Sequence, residues 1–252
     1  MSLFAVEHLS LRFGGLHAIR DVSFSVEEGE VFAIIGPNGA GKTSVFNVIT
    51  RVFDPDGGRI LFDGRDITAI PRHKVVQQGI ARTFQNIELF EGATVLDNLL
   101  LGRHRFDHGN FVAQWLWTPG VRAAEAASRA EVENIIDLLE LAPHRDAPVA
   151  GLPYGVRKVV ELARALTTRP RLLLLDEPAS GLNTEETRDL AFWIDDIQND
   201  LGITVIMVEH DMSLVADAAD RVLCMNMGEV LATGTPAEVQ SDRRVVAAYL
   251  GG

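Results

Sequence analysis

Residues 31–49 read VFAIIGPNGAGKTSVFNVI, and this stretch decides the fold. The apolar run VFAII is followed directly by a glycine-rich segment and then by a sequence that can begin a helix. An apolar strand without alternation is typical of a parallel sheet that helices cover on both faces. Glycines between such a strand and a helix permit a tight loop whose backbone N–H groups surround phosphate oxygens. The stretch therefore predicts a phosphate-binding loop for a nucleotide.

The predicted phosphate-binding loop gives two side chains a specific task. Lys42 can place its ammonium on the β- and γ-phosphates of ATP, and the Thr43 hydroxyl can bind Mg²⁺. A turn with accidental glycines is the alternative, and the strand before the loop and the helix after it argue against that alternative. The loop residues predicted to bind the nucleotide are Gly36, Pro37, Asn38, Gly39, Ala40, Gly41, Lys42, Thr43 and Ser44.

An acidic pair follows a second apolar run, in LLLLDEP at residues 172–178. Asp176 comes where the predicted strand ends and can hold Mg²⁺ through water. Glu177 stands beside it and can orient or deprotonate an attacking water. A solvated acidic pair at a strand end is the alternative. The four leucines that lead into the pair favour the functional interpretation.

The other apolar runs predict the fold class. ITVIMV at residues 203–208 is as apolar as VFAII and LLLL, so the three runs predict a mostly parallel sheet flanked by helices. The runs near the N-terminus alternate and lie close together, which predicts a small antiparallel sheet. We therefore expect an α/β protein with a P-loop NTPase core and an N-terminal antiparallel β subdomain.

An α-helical subdomain is predicted to interrupt this core. We expect residues 1–252 to form a single domain, with the α/β core in residues 1–92 and 151–252 and the helical subdomain in residues 93–150. Pro119 can occupy the first turn of a helix in this insert. The apolar residues of this helix recur at positions i, i+3, i+4 and i+7, which is typical of one buried helix face. They are Val132, Ile135, Ile136 and Leu139.

Composition excludes several classes of protein. The formal net charge of −12 argues against nucleic acid as a direct partner, because nucleic acid favours basic surfaces. Cys224 is the single cysteine, which excludes a disulfide framework, and its apolar neighbours predict a buried strand residue. The N-terminal sequence predicts no signal peptide, and no apolar run approaches the roughly 18 residues that span a bilayer. If the protein acts at a membrane, we expect it to do so by binding a partner protein.

Four further features narrow the class of nucleoside triphosphatase. Gln85 follows a short apolar stretch, GLPYG at residues 151–155 opens a helix, residues 180–183 follow the acidic strand, and His210 follows ITVIMVE. In this order the motifs resemble those of an ABC-type ATPase subunit, and the resemblance covers essentially the whole chain. A P-loop kinase is a weaker interpretation because it leaves GLPYG and His210 unexplained.

The resemblance implies a role for each of these residues. Gln85 is expected to touch Mg²⁺ and the attacking water and to sense a transmembrane partner. His210 is expected to contact the γ-phosphate, and Phe13 to stack on adenine. Residues 180–183 correspond to a loop in which Asn183 stands where the family usually has aspartate. Phe13 could instead be an ordinary core residue.

GLPYG resembles the family's signature segment, usually Leu-Ser-Gly-Gly-Gln, which faces the γ-phosphate bound by a second subunit. Leu152 and Gly155 match this pattern, whereas Pro153 replaces the serine, Tyr154 the first glycine and Val156 the glutamine. We therefore expect this segment to contact ATP across a head-to-tail dimer through backbone N–H groups and the helix dipole.

Several further features are the Tyr-Gly of the signature segment, the long helical insert, FGGLHAI at residues 13–19, VEHDM at residues 208–212 and YLGG at residues 249–252. Together they resemble the ATPases of branched-chain amino acid importers and of related urea importers. This resemblance implies ATP and Mg²⁺ as cofactors, with no other metal, and a second ATPase subunit that is a copy or a paralogue. It also implies transmembrane permease subunits and a peripheral position on the cytoplasmic face of the cell membrane. Alternatives are the ATPase subunit of an exporter and a soluble ABC ATPase that acts on DNA or ribosomes.

Overall fold

The computed structural model describes residues 2–83, 87–103 and 118–250 of the chain. The chain forms two compact units. An α/β unit is built from residues 1–85 and 171–252, and a helical unit from residues 86–170.

The strands of the α/β unit form two sheets, one of four strands and one of six. In chain order the strands are β1 (Ser2–Phe13), β2 (Leu16–Glu27), β3 (Val31–Ile35), β4 (Gly57–Phe62), β5 (Arg65–Asp66), β6 (Ile80–Arg82), β7 (Leu172–Asp176), β8 (Thr204–Val208), β9 (Arg221–Asn226) and β10 (Glu229–Gly234). The helices described are α1 (Lys42–Ile49), α2 (Arg72–Val75), α3 (Val95–Arg103), α4 (Pro119–Leu138), α5 (Tyr154–Thr167), α6 (Thr184–Asn199), α7 (Met212–Ala218), α8 (Pro236–Ser241) and α9 (Arg243–Leu250).

The smaller sheet is antiparallel and has the strand order β2-β1-β4-β5. Its strands alternate between buried and exposed side chains, because one face packs on the core and the other meets solvent. The antiparallel sheet predicted near the N-terminus is confirmed.

The larger sheet has the order β10-β9-β3-β8-β7-β6, and its neighbours are parallel except for the β9–β10 hairpin. Every residue of β3, β7 and β8 is buried, which explains why their sequences are apolar without alternation. Since β3, β8 and β7 are adjacent and parallel, their carboxyl ends meet at one edge. The predicted parallel sheet is confirmed, and the loops expected to carry chemistry leave it at this edge.

In the described part of the helical unit, α3, α4 and α5 pack on one another. Val132, Ile135 and Ile136 are buried on α4, and Pro119 begins that helix, so the predicted helix is confirmed. The Thr167 hydroxyl at the end of α5 donates to the Leu99 carbonyl of α3 at 3.1 Å.

The boundaries of the two units differ from those predicted. The helical unit reaches from residue 86 to residue 170, whereas the prediction placed residues 151–170 in the core. The physical reason is that α5 packs on α3 and α4, a long-range contact that the turn at residues 151–155 does not reveal. Within the described residues, the structure has no helix with the length and apolar character needed to cross a bilayer.

Candidate functional site

The phosphate-binding loop lies between β3 and α1, and two of its glycines are required by space as well as by backbone conformation. Gly36 has φ 148°, and a Cβ added there would lie 2.2 Å from the Met225 carbonyl oxygen. Gly41 has φ 102°, and a Cβ there would lie 2.4 Å from the Ala18 carbonyl oxygen. L-residues rarely adopt such φ values. The backbone path of this loop therefore needs glycine at both positions.

Lys42 begins α1 and turns its side chain back into the loop. Its Nζ donates to the carbonyl oxygens of Gly36 at 2.6 Å and Pro37 at 3.2 Å. Burial lowers the pKa of this ammonium, and the negative charge of Glu177 opposes the shift. The loop thus holds a cation whose partners are neutral carbonyls, and phosphate oxygens are stronger acceptors for it.

A cavity of about 590 Å³ brings most of the predicted nucleotide-binding residues together. Phe13 borders it with 44% of its surface exposed and meets the Phe53 ring edge-on at 5.0 Å between centroids. A volume of this size is in the range of cavities that hold nucleotides and other small ligands. The predicted residues that line the cavity are Phe13, Asn38, Gly39, Ala40, Gly41, Lys42, Thr43, Ser44 and Glu177.

The same cavity has walls that the sequence interpretation missed. These residues are Leu16, His17, Ala18, Arg20 and Met227. Met227 lies in the turn between β9 and β10 with φ 48°, far along the chain from the phosphate-binding loop. Met227 reaches the cavity through the pairing of distant strands, whereas the other four residues lie on β2, just after Phe13.

Asp176 ends β7 and forms a buried ion pair. Nη2 of Arg82 donates to Asp176 Oδ2 at 2.5 Å, and Arg82 Nη1 also donates to Asn47 Oδ1 at 2.9 Å and Thr50 Oγ1 at 3.0 Å. Oδ1 of Asp176 is buried and has no hydrogen-bond partner among the residues that the structure describes. A buried carboxylate oxygen in this condition is costly unless a cation or water binds it. Asp176 therefore fits a metal site at the end of β7.

Glu177 has a strained backbone that directs its side chain. Its φ is 49°, an uncommon value for a residue other than glycine. The Glu177 N–H donates to the Val208 carbonyl at 2.9 Å, and the Glu177 carbonyl accepts from the Ser180 N–H at 3.1 Å. These bonds sustain a conformation that costs about 1–3 kcal/mol and that is typical of functional sites. Glu177 lines the cavity as a result.

His210 follows β8 on an exposed loop. Its backbone N–H donates to Oε2 of its neighbour Glu209 at 2.8 Å, and its imidazole Nδ1 lies 3.9 Å from the same oxygen. His210 is not among the described residues that line the cavity. Sequence reasoning singled out His210 and passed over Glu209, whose carboxylate is fully buried.

Asn183 has a structural role in this chain. Its Oδ1 accepts from the N–H groups of Glu185 at 2.9 Å and Glu186 at 3.0 Å, and the Glu186 carboxylate accepts from the Asn183 N–H at 2.9 Å. This reciprocal arrangement is a capping box for α6. Asparagine can cap a helix as well as aspartate does, so the cap does not depend on an aspartate here. Its contact with nucleotide stays a prediction.

The GLPYG segment belongs to the helical unit and leads into α5. Pro153 is the N-cap residue and makes no side-chain cap, Tyr154 is exposed, and Gly155 is buried in the first turn. Arg157 and Lys158 follow in the same helix without any acidic residue in its first turn. Arg157 already pairs with the Glu91 carboxylate at 2.9 Å, so the feature of this end that favours an anion is the helix dipole with its backbone N–H groups. The predicted contact of Leu152 to Gly155 with ATP stays a prediction.

Gln85 lies outside the described residues. The described chain stops at Thr83, whose N–H donates to the Leu174 carbonyl at 2.9 Å next to β7. The roles predicted for Gln85 toward Mg²⁺ and water therefore stay predictions. Cys224, in contrast, is a buried β9 residue as predicted, and burial raises the pKa of its thiol to about 11.

The sequence matches two family profiles. The profile described as "ABC transporter" matches residues 19–180. The profile described as "Branched-chain amino acid ATP-binding cassette transporter" matches residues 229–252.

Known proteins with similar sequences cover nearly the whole chain. The high-affinity branched-chain amino acid transport ATP-binding protein BraF of Pseudomonas aeruginosa is 42% identical over 246 residues, which is 98% of this chain and 96% of that protein. The protein of the same description, LivG, from Salmonella typhimurium is 39% identical over 249 residues, 99% of this chain and 98% of that protein. A crystal structure of the ADP conformation of an ATP-binding cassette of an ABC transporter superposes with a TM-score of 0.87 at 32% identity, with 100% of each chain covered.

Proposed function

Because the chain belongs to the ABC transporter family of ATP-hydrolysing subunits, we propose that it powers an importer of branched-chain amino acids. The observation that supports ATP chemistry is one cavity that unites the phosphate-binding loop, Phe13 and Glu177. The observation that supports the solute class is the similarity to BraF and LivG over nearly the full length of each chain.

ATP binding is proposed to use the cavity of the α/β unit. Phe13 presents an exposed ring on which adenine can stack. The loop N–H groups and the α1 dipole hold the phosphates, and Lys42 exchanges the Gly36 and Pro37 carbonyls for phosphate oxygens. The exchange adds the attraction between opposite charges to the hydrogen bonds of the ammonium.

Hydrolysis is proposed to rest on Glu177 as the general base. Its carboxylate accepts a proton from the water whose oxygen bonds to the γ-phosphorus. The bond between the γ-phosphorus and the β–γ bridging oxygen breaks, and ADP leaves with that oxygen. His210 is proposed to contact the γ-phosphate once ATP is bound, since its exposed imidazole stands on the loop after β8. Gln85 is proposed to orient the same water.

Mg²⁺ fits the side chains at the end of β7 and the start of α1. The Thr43 hydroxyl, Asp176 through its free Oδ1, and Gln85 are proposed to hold it. The ion would neutralise charge on the β- and γ-phosphates. Arg82 keeps Asp176 Oδ2 engaged, so that the carboxylate can offer Oδ1 without turning.

The complete catalytic site is proposed to need a second ATPase subunit, either a copy of this chain or a paralogue. The α5 N-terminus carries Arg157 and Lys158 in its first two turns, and its dipole is directed out through the GLPYG segment. In a head-to-tail dimer this segment would meet the γ-phosphate bound by the partner. Asn183, as the cap of α6, is proposed to shape the loop that lies against the partner.

The solute class is tested by uptake. We expect the chain to co-purify with membrane permease subunits, and vesicles containing this complex to take up labelled leucine, isoleucine and valine only with ATP inside. Urea uptake without amino-acid uptake would assign the importer to the other solute class. Failure to co-purify with any membrane subunit would contradict the transporter role.

Phe90 is proposed to dock against a permease at the cytoplasmic face of the membrane. The buried Asn98 holds the loop, because its Oδ1 accepts from the Phe90 N–H at 2.9 Å and its Nδ2 donates to the Phe90 carbonyl at 3.0 Å. The loop backbone is thus fixed while 62% of Phe90 is exposed. Phenylalanine is enriched in the buried cores of protein interfaces, so this side chain is suited to anchor one.

Replacement of Phe90 is therefore expected to separate transport from hydrolysis. We expect Phe90→Ala to lower ATP-driven uptake by roughly tenfold or more, as for an interface anchor. ATP hydrolysis by the isolated chain should stay near the parent value. Phe192→Ala is the matched control, since Phe192 is 63% exposed on α6 of the α/β unit. Equal losses in both assays would show instead that Phe90 supports the fold.

A further inference from the structure

Glu209 is a buried carboxylate that joins two loops of the catalytic edge. Its side chain is 0% exposed. Oε1 accepts from the Ala179 N–H at 2.7 Å, and Oε2 accepts from the N–H groups of His210 at 2.8 Å and Asp211 at 3.1 Å. Ala179 lies two residues beyond Glu177, so one carboxylate holds both the loop after β7 and the loop after β8.

The backbone of Glu209 is tied to the same edge. Its N–H donates to the Ile34 carbonyl at 3.2 Å, near the end of the strand that leads into the phosphate-binding loop. The Glu177 N–H donates to the Val208 carbonyl at 2.9 Å, one residue before Glu209. The negative charge of Glu209 also acts on the Lys42 ammonium and helps to raise its pKa against the effect of burial. Glu209 therefore stands where the carboxyl ends of β3, β7 and β8 converge.

We propose that Glu209 is a positioning residue that locks the Glu177 loop and the His210 loop together. This inference rests on the proposed function, in which both of those side chains act on the γ-phosphate. A carboxylate is suited to the task because its two oxygens are both acceptors, and here both face backbone N–H donors. Movement of either loop then carries the other with it.

Substitution of Glu209 by glutamine or by aspartate tests the hydrogen bonds that join the two loops. Glutamine has nearly the same shape, but its NH₂ group would face an N–H donor on one side, so at least one loop is released. Aspartate keeps the charge and is one methylene shorter, so it cannot reach both loops. If Glu209 did not position the catalytic loops, either substitution would change the stability of the protein and leave the hydrolysis rate of the folded protein unchanged.

The first measurement is single-turnover ATP hydrolysis. We expect Glu209→Gln and Glu209→Asp each to lower the hydrolysis rate by roughly tenfold to a hundredfold, the cost of misplacing catalytic groups by about 1 Å. ATP affinity should stay near that of the parent. In His210→Ala and Glu177→Gln backgrounds the loss caused by Glu209→Gln should shrink, because residues that act together are not additive. Hydrogen exchange of residues 177–183 and 209–213 should accelerate together.

Glu30→Gln is the matched control. Glu30 is a buried carboxylate of the same unit that accepts from the Glu27 N–H at 2.6 Å and pairs with Arg221 at 2.9 Å. Its substitution should leave the hydrolysis rate near that of the parent while it reports the stability cost of a lost buried carboxylate.

Two outcomes overturn the role of Glu209. One is parent-like hydrolysis by Glu209→Gln, and the other is an equal fold-loss in the parent and in both mutant backgrounds. Parent-like hydrolysis by His210→Ala and Glu177→Gln themselves would instead contradict the proposed function. The two failures are therefore distinguishable.

Discussion

Glu177→Gln is expected to lower the rate of ATP hydrolysis by about 10²–10⁴, the usual contribution of a general base. The amide keeps the size of the side chain and its backbone hydrogen bonds to Val208 and Ser180, so the strained turn should persist. ATP affinity should change little or rise, since the substitution removes a negative charge from beside the triphosphate. The measurement is steady-state phosphate release together with equilibrium binding of ATP.

The same variant should accumulate as an ATP-bound dimer, because association is no longer followed by hydrolysis. Glu125→Gln is a suitable control, since it removes an exposed carboxylate from α4 of the helical unit. Hydrolysis close to the parent rate in Glu177→Gln would remove Glu177 from the mechanism. Another carboxylate of the catalytic edge would then have to supply the base.

The chemistry of the nucleotide site could be predicted from the sequence because it is encoded in short segments. The glycines of the phosphate-binding loop follow β3 directly, Asp176 is the last residue of β7, and Glu177 follows it. The buried strands β3, β7 and β8 were evident because burial on both faces makes their sequences almost entirely apolar. In these segments local sequence and tertiary environment impose the same requirement.

The parts that were missed depend on residues far apart in sequence. Arg82 pairs with Asp176 across 94 positions, and no spacing rule connects them. In the sequence, Glu209 is only the residue before His210. Its proposed role depends on the hydrogen bond that it accepts from the Ala179 N–H, 30 positions away. Strand β10 was not predicted, because it lies at the sheet edge and its half-exposed residues show no strong hydrophobic pattern. Such contacts are set by packing and therefore need the structure.

The second large effect concerns Gly155 and tests the head-to-tail dimer. In a Glu177→Gln background we expect ATP to drive dimerisation of the parent, and Gly155→Asp to abolish it, as measured by light scattering. Two like charges about 4 Å apart near a protein surface repel by about 4 kcal/mol. That energy corresponds to about a thousandfold in affinity, and a symmetric dimer would incur it at both of its sites.

The monomer itself should tolerate this aspartate. At the second position of α5 a carboxylate is stabilised by the helix dipole. ATP binding should be intact because the phosphate-binding loop and Phe13 belong to the α/β unit. Loss of the dimer in a folded, ATP-binding chain would then report the site across the interface.

Gly155→Asn separates charge from bulk, which matters because Gly155 is buried in the first turn of α5. Asparagine has the shape of aspartate without its charge, so we expect it to weaken the dimer and leave part of the ATP response. If Gly155→Asp dimerises like the parent, GLPYG is only a turn between helices. If both variants abolish dimerisation equally, a side chain of any charge is excluded there, and the anion interpretation of the α5 N-terminus is wrong. A larger loss for aspartate than for asparagine is therefore the result that requires a phosphate opposite this helix.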